Sequence, residues 1–301
     1  MNTPPPGVRD QPAAWRVLTA TERGAAHVAT GLPNQDAVAA SPIAPHGAAA
    51  AVADGHGHPR HFRSSRGSRL AVTVAYEAAQ ELTDRLDRFT AVGQIERETR
   101  TVLVPAIAER WRAAVSQDLG AEPFTPAQES SRAAAGDDAV IAYGSTLLLA
   151  VVWRQWLVLA QIGDGDIVAI RSDGGALLPV PGDPVLDGRQ TTSLCGPRAV
   201  DEFRVAIVDL SCTALLGVML ATDGYGNAQL ADPWPGVFSR DLSELLRSCD
   251  PESLADQLPV WAGRCASAEG SGDDTSIALL LAPDSPLPHR DDQRAATERA
   301  R

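Results

Sequence analysis

Aspartates recur in this chain where apolar runs meet glycine. They are Asp36 in Asn34-Gln-Asp, Asp54 in Ala-Val-Ala-Asp-Gly-His-Gly, Asp164 in Ile-Gly-Asp-Gly-Asp, Asp223 in Met-Leu-Ala-Thr-Asp-Gly, and Asp273-Asp274 in Gly-Ser-Gly-Asp-Asp-Thr-Ser. Aspartate is a poor strand residue, so one that ends a strand-like run is either a turn former or a ligand. Taken singly, each Asp-Gly reads as a turn. Taken together, strand ends of one sandwich can converge on a single cleft. Clustered carboxylates repel one another and are tolerated only with pairing cations or raised pKa values. All-oxygen ligation of this kind suits Mg²⁺ or Mn²⁺.

Composition narrows the chemistry further. The chain has 301 residues with 26 basic side chains, every one an arginine, against 38 acidic ones. Without lysine there can be no P-loop, no protein-kinase strand lysine and no Schiff base. The net charge of −12 disfavours nucleic acid and anionic membranes as partners. The 4 cysteines, Cys195, Cys212, Cys249 and Cys265, show no CxxC spacing, and with no secretory signal they are expected to be reduced in a cytoplasmic protein. The longest charge-free stretch, Ala37 to Ala53, is broken by Pro42, Pro45 and Gly47 and falls short of the roughly 18 apolar residues of a bilayer span. A hydrophobic fraction of 44% fits a globular body with a buried core.

The elements that must hold these carboxylates can be read around them. Strands are expected from Trp15 to Ala20, over 36–41 and 47–53, over Leu147 to Trp153 and Trp156 to Ile162 as a hairpin turning at Arg154-Gln155, and over Ile167 to Ile170 with Ala176 to Val180. Further strands fit Phe203 to Val208, Val218 to Ala221 and Ser276 to Leu281. Helical spacing runs through Leu70, Val74, Ala78 and Leu82 behind a cap at Ser64 or Ser65. It recurs from Ile95 to Val115, where Pro105 predicts a kink, and over Leu242 to Cys249 and Pro251 to Ala266. Residues 121–138 read as a surface loop. Strands at both ends of the chain with helices between them predict an α+β fold. The expected organisation is a disordered segment at 1–14, one catalytic domain over 15–281, and a disordered polar tail at 282–301.

These residues resemble the metal-dependent protein phosphatases of the protein phosphatase 2C (PPM) family, of bacterial type, over roughly Trp15 to Leu281. Asn34-Gln35-Asp36 is similar to the family's Asn-Glu-Asp, and Val52-Ala-Asp54-Gly55-His56-Gly57 to its Val-x-Asp-Gly-x-Gly. Tyr143-Gly144-Ser145-Thr146 is similar to its Gly-Ser/Thr-Thr, Ala160-Gln-Ile-Gly163-Asp164 to Ala-x-x-Gly-Asp, Leu220-Ala-Thr-Asp223-Gly224 to Leu-x-x-Asp-Gly, and Asp273-Asp274-Thr-Ser276 to Asp-Asn-x-Thr/Ser. Each motif alone is weak, and their order along the chain gives them weight. The resemblance implies a four-layer α-β-β-α sandwich of two mainly antiparallel sheets flanked by helices, with two tightly bound Mn²⁺ or Mg²⁺ ions and a weaker third. Asp54 would bridge the two tight ions, with the Gly55 carbonyl and Asp36 on one side and Asp223 and Asp273 on the other. Asp164 would hold the third with Asp223. The implied reaction is hydrolysis of phosphoserine or phosphothreonine in a protein substrate, the product of a Ser/Thr kinase, by a metal-bridging hydroxide, with His56 as the acid for the departing oxygen.

Departures from the family pattern are specific. Gly31 stands where the family usually has a phosphate-clamping arginine, three residues before the Asn of the first motif. His27, Arg60, Arg63 and Arg66 are the residues that could replace it, bidentate arginine being the best phosphate ligand among them. Gln35 replaces Glu, and Asp274 replaces Asn at similar size. A second reading keeps the fold but loses turnover, as a pseudophosphatase or regulatory binding module. A third starts from His56-Gly-His58-Pro-Arg-His61, which resembles the zinc motif of metallo-β-lactamase-like hydrolases. Arg60 stands where that motif needs Asp, and His289 is the only histidine left downstream, so this reading is disfavoured.

Overall fold

The computed structural model describes residues 14–183, 191–231, 233–248 and 251–283. The segments expected to be disordered, 1–14 and 282–301, lie almost wholly outside the described residues, as do Cys249 and His289.

Ten strands form two sheets. They are β1 (Arg16–Glu22), β2 (Ala37–Ile43), β3 (Gly47–Ala53), β4 (Leu147–Trp153), β5 (Trp156–Ile162), β6 (Asp166–Arg171), β7 (Ala176–Leu177), β8 (Arg204–Asp209), β9 (Leu215–Ala221) and β10 (Thr275–Leu281). One five-stranded sheet has the order β1-β10-β9-β6-β7 and the other β2-β3-β4-β5-β8. Every pairing is antiparallel. The helices are α1 (Ala25–Thr30), α2 (Ser64–Leu86), α3 (Val92–Glu98), α4 (Val104–Ala121), α5 (Pro126–Ala135), α6 (Ala199–Glu202), α7 (Asp223–Gly226), α8 (Trp234–Ser248) and α9 (Pro251–Ala266).

Three apolar interfaces stack these elements into four layers. Side chains of a strand alternate between its two faces, and β3 shows the consequence. Ala48, Ala50 and Val52 meet Leu148, Val152, Val218, Leu220 and Leu280 in the core between the sheets. Ala49, Ala51 and Ala53 face the other way, onto Val72, Ala75, Leu82 and Trp111 of α2 and α4. Alanines on both faces let α2 lie close to the sheet. The opposite sheet carries Val168, Met219, Ile277 and Leu279 against Leu242, Leu246, Leu254 and Leu258 of α8 and α9. This is the α-β-β-α sandwich expected from the sequence. Wholly buried leucines such as Leu82, Leu148 and Leu159 each contribute about 1.5–3 kcal/mol.

Some local expectations need correction. Residues 121–138 are not all loop, because Thr125 and Gln128 form a reciprocal capping box that starts α5, which ends at Gly136 with φ 68°. The helix expected over Ile95 to Val115 is divided by a π turn at Thr99–Leu103. Pro105 follows in the first turn of α4, where its missing N–H costs least. Neither Ser64 nor Ser65 caps α2. Arg63 occupies that position without a side-chain cap, and Ser64 is buried within the first turn.

Candidate metal and phosphate site

Register places the carboxylates. Ala37 pairs with Ala53, so Asp36, just before β2, and Asp54, just after β3, flank the same end of one sheet. Ala221 pairs with both Asp166 and Ile277, so Asp223 after β9, Asp164 before β6 and Asp273 before β10 leave the corresponding end of the other sheet. Antiparallel pairing thus turns strand ends and strand starts that are far apart in sequence into one rim.

Threonines and glycines at the rim fix these segments. The Thr222 hydroxyl donates to Asp36 Oδ2 at 2.8 Å and accepts from the Ser276 N–H at 2.9 Å, tying β9 and β10 to the Asp36 loop. The Asp54 N–H donates to Thr146 Oγ1 at 2.9 Å, and the Thr146 N–H returns a bond of 2.9 Å to the Asp54 carbonyl. The Gly55 N–H donates to the Gln35 carbonyl at 3.1 Å, and a side chain at Gly55 would come within 2.7 Å of that same oxygen. A Cβ on Gly224 would meet the Asp274 carbonyl at 2.1 Å, so only glycine lets α7 begin so close to the start of β10.

A cavity of about 290 Å³ opens at this rim, lined by Ala26, His27, Gln35, Asp54, Gly55, Gly57, Ser271, Gly272 and Asp273. A larger cavity of about 530 Å³ lies by α8 and α9 among Tyr225, Trp234, Phe238 and Trp261. Its lining shares none of the strand-end carboxylates, so the chemistry belongs to the smaller one.

Electrostatics single out the same residues. Burial, and then the facing charges of Asp36, Asp223, Asp273 and Asp164, push Asp54 well above the usual carboxylate range. Burial raises Asp36 to about 8 despite the Thr222 bond, and burial with the Asp164 and Asp273 charges raises Asp223 to about 6. Carboxylates buried together in this way are stable as anions only beside a compensating cation. Asp36 Oδ1 and Gln35 Oε1 are buried without a hydrogen-bond partner, as atoms awaiting a ligand would be. Among the described residues, no three His, Cys, Asp or Glu side chains already enclose an ion-sized space. Asp54 and Asp273 line the cavity, and Asp36, Asp164 and Asp223 act on Asp54 or Asp223 as repelling charges from the same rim. An all-oxygen set with an orphaned acceptor fits divalent cations of the Mg²⁺ or Mn²⁺ type.

The expected phosphate holders separate. His27 lines the cavity, whereas Arg60 and Arg63 do not. Arg60 is ion-paired with Asp137. Arg63 is 6% exposed; it donates to the Glu122 and Pro123 carbonyls and the Tyr143 hydroxyl, with its guanidinium over the Phe124 ring. Arg66 is engaged by Asp118 and Glu122. These arginines face acidic and carbonyl partners of their own, which the sequence could not reveal.

His56 also departs from expectation. Its Nε2 is hydrogen-bonded to Ser193 Oγ at 2.7 Å, its ring packs edge-on to His61, and it does not line the cavity. Burial, with His61 nearby, lowers it to about 4, so it is neutral at pH 7. The zinc-hydrolase reading fails on the same loop. His61 Nδ1 donates to the Ile141 carbonyl, and His58 Nδ1 accepts from the Arg60 N–H.

The sequence model of the protein phosphatase 2C family matches residues 23–261. The chain belongs to the protein phosphatase 2C family. Solved structures of similar fold include the serine/threonine phosphatase Stp1 from Staphylococcus aureus, at 16% identity and TM-score 0.55 over 89% of this chain and 95% of that one. PppA, a regulatory component of the type VI secretion system in Pseudomonas aeruginosa, matches at 17% identity and TM-score 0.56 over 89% and 97%. The catalytic domain of the serine/threonine protein phosphatase PstP, in complex with two manganese ions, matches at 18% identity and TM-score 0.50 over 89% and 98%. No curated protein matches the chain in sequence. Protein phosphatase 2C membership accounts for the sandwich and for the order of the rim motifs.

Proposed function

We propose that this protein phosphatase 2C chain is a metal-dependent phosphoserine/phosphothreonine phosphatase acting on proteins phosphorylated by a Ser/Thr kinase. The observation that carries the proposal is the convergence of Asp36, Asp54, Asp164, Asp223 and Asp273 from separate strand ends on one rim, with Asp36 Oδ1 left unpartnered. Asp54, placed between the two sheets' carboxylates, would be shared by two Mn²⁺ or Mg²⁺ ions. Asp36 and the Gly55 carbonyl would serve one of them and Asp223 and Asp273 the other, with Asp164 and Asp223 at a weaker third. The two manganese ions in the PstP structure support this ion count. When bound, such ions lower the pKa of an attacking water and offset phosphoryl charge.

The chain's own residues do the rest. Thr222 and Thr146 hold the Asp36 and Asp54 segments so that their carboxylates need not reorganise. His27, in the cavity wall, is placed to hold a phosphoryl oxygen. Three free cysteines among the described residues, Cys195, Cys212 and Cys265, suit the reducing cytoplasm. No helix among the described residues is long and apolar enough to cross a membrane.

A binding module that has lost turnover is the second reading, favoured by the neutral, buried His56 and by the absence of an arginine from the cavity lining. Phosphate release from a phosphothreonine peptide separates the two. The proposal expects Mn²⁺-supported turnover that Asp54→Ala abolishes. A folded, manganese-binding protein that releases no phosphate from peptide or nitrophenyl phosphate would establish the second reading.

A further inference from the structure

We propose that His27 and Asp274 act as one unit. The buried Asp274 carboxylate presents the His27 imidazole to the phosphoryl group, with His27 the contacting residue and Asp274 a positioning residue. This rests on the phosphatase reading and deepens it, since it supplies the phosphate contact for which no arginine lines the cavity.

The Asp274 carboxylate has only acceptor atoms, and both oxygens are engaged. Oδ1 accepts the Gly24 N–H at 2.7 Å, and Oδ2 accepts the Gln35 N–H at 2.6 Å and His27 Nδ1–H at 2.8 Å. The side chain is 2% exposed. These donors come from two segments that contribute to the cavity wall, the start of α1 and the stretch before β2. Gly24 precedes α1, Gln35 precedes the ligand Asp36, and His27 is the third residue of α1. The Ala26 N–H also donates to the Gly272 carbonyl at 3.0 Å, and the His27 carbonyl accepts from the Arg23 guanidinium and the Leu32 N–H. The imidazole is therefore fixed at its backbone and at Nδ1. Its Nε2 has no hydrogen-bond partner among the described residues, while the ring lines the cavity beside Asp54, Gly55 and Asp273.

Chemistry decides what that nitrogen meets. With Nδ1–H donated to Asp274, Nε2 is the ring atom left to meet one oxygen of a tetrahedral oxyanion through a single hydrogen bond. Such a pair orients a phosphoryl group without adding net positive charge. Asparagine could not replace Asp274 here. One of its two polar atoms is an NH₂ group, which would face a backbone N–H or the imidazole N–H instead of accepting from it.

The test is calorimetric titration of the manganese-loaded protein with inorganic phosphate, in wild type, His27→Ala, Asp274→Asn and the double variant. Losing a hydrogen bond to a charged oxyanion weakens binding about ten-fold or more. We expect losses of this size in each single variant and no further loss in the double. In the wild type loaded with diamagnetic Mg²⁺, phosphate should also shift the His27 imidazole ¹⁵N resonances. Unchanged phosphate affinity in His27→Ala, which keeps both backbone bonds to Asp274 and hence the fold, would overturn the proposal. So would additive losses, which would make Asp274 structural independently of His27. If the wild type binds phosphate through His27 yet never hydrolyses a phosphopeptide, the phosphatase reading fails and the pair stands. If it hydrolyses phosphopeptide with His27→Ala binding phosphate as wild type does, the reverse holds.

Discussion

Asp36 shows what burying a carboxylate among others does to the protein around it. Its carboxyl titrates at about 8 when folded, against an ordinary value of 3.8. Between these values the metal-free folded state binds more protons than the unfolded chain, so its stability falls as pH rises from about 4 to 8. Thermal unfolding in excess chelator should therefore show a lower Tm at pH 8 than at pH 5.5. Mn²⁺ should stabilise the fold most at pH 8, where the carboxylates are free to bind, by about 2.7 kcal/mol at a hundred times the dissociation constant, read as a rise in Tm. Asp36→Asn should flatten the pH dependence and reduce the manganese effect. A chelated protein more stable at pH 8 would contradict this picture of the site.

His56 belongs to the same scale. From the sequence it looks like an acid facing the cleft, because glycines flank it. The structure seats it against Ser193, His61 and the Gly144 backbone, where a neutral ring cannot deliver a proton at pH 7. A leaving alkoxide needs a proton and nitrophenolate hardly does. His56→Ala should accordingly slow both substrates by a similar factor, through displacement of the Asp54 loop. A loss on phosphopeptide greater by about 10²-fold would restore the role of acid. What the sequence showed at this scale were residue types next to glycine. The bond between His27 and Asp274, 247 positions apart, was invisible, because nothing local distinguishes Asp274 from the asparagine it replaces.

At the scale of elements, strands were legible and their helical neighbours less so. Alternating or wholly apolar runs such as 147–153 and 156–162 locate β4 and β5 almost to the residue. Helix α5 was missed because serine, proline and acid dominate 121–138, although Thr125 and Gln128 carried the capping signature. The start of α2 was misjudged for a related reason. Serines suggested a cap, but Arg63 holds that position by gripping the end of α4 and its following turn through the Glu122 and Pro123 carbonyls. Arg63→Ala should thus destabilise the protein by about 3 kcal/mol, the cost of breaking a buried charged network, while leaving KM for phosphopeptide unchanged. Denaturant unfolding alongside steady-state kinetics would show it. A raised KM with unaltered stability would return Arg63 to the phosphate site.

For the whole molecule, the sandwich is what gathers the scattered carboxylates of an acidic chain at one end. Two antiparallel sheets, with Asp36 and Asp54 leaving one and Asp164, Asp223 and Asp273 the other, bring both groups to a single end. Asp54, Asp223 and Asp273 should rank above Asp164 for ion retention, since Asp164 is exposed in its turn. Manganese titrations of the four alanine variants should follow that ranking, and equal losses in all four would remove the distinction between tight and weak ions. The central claim is that these carboxylates act through bound divalent cations to cleave a phosphomonoester. Its most direct test is phosphate release from a phosphothreonine peptide after exhaustive chelation and again after Mn²⁺ is restored. Turnover should disappear and then return, and turnover that survives chelation would mean that the carboxylates do not act through bound cations.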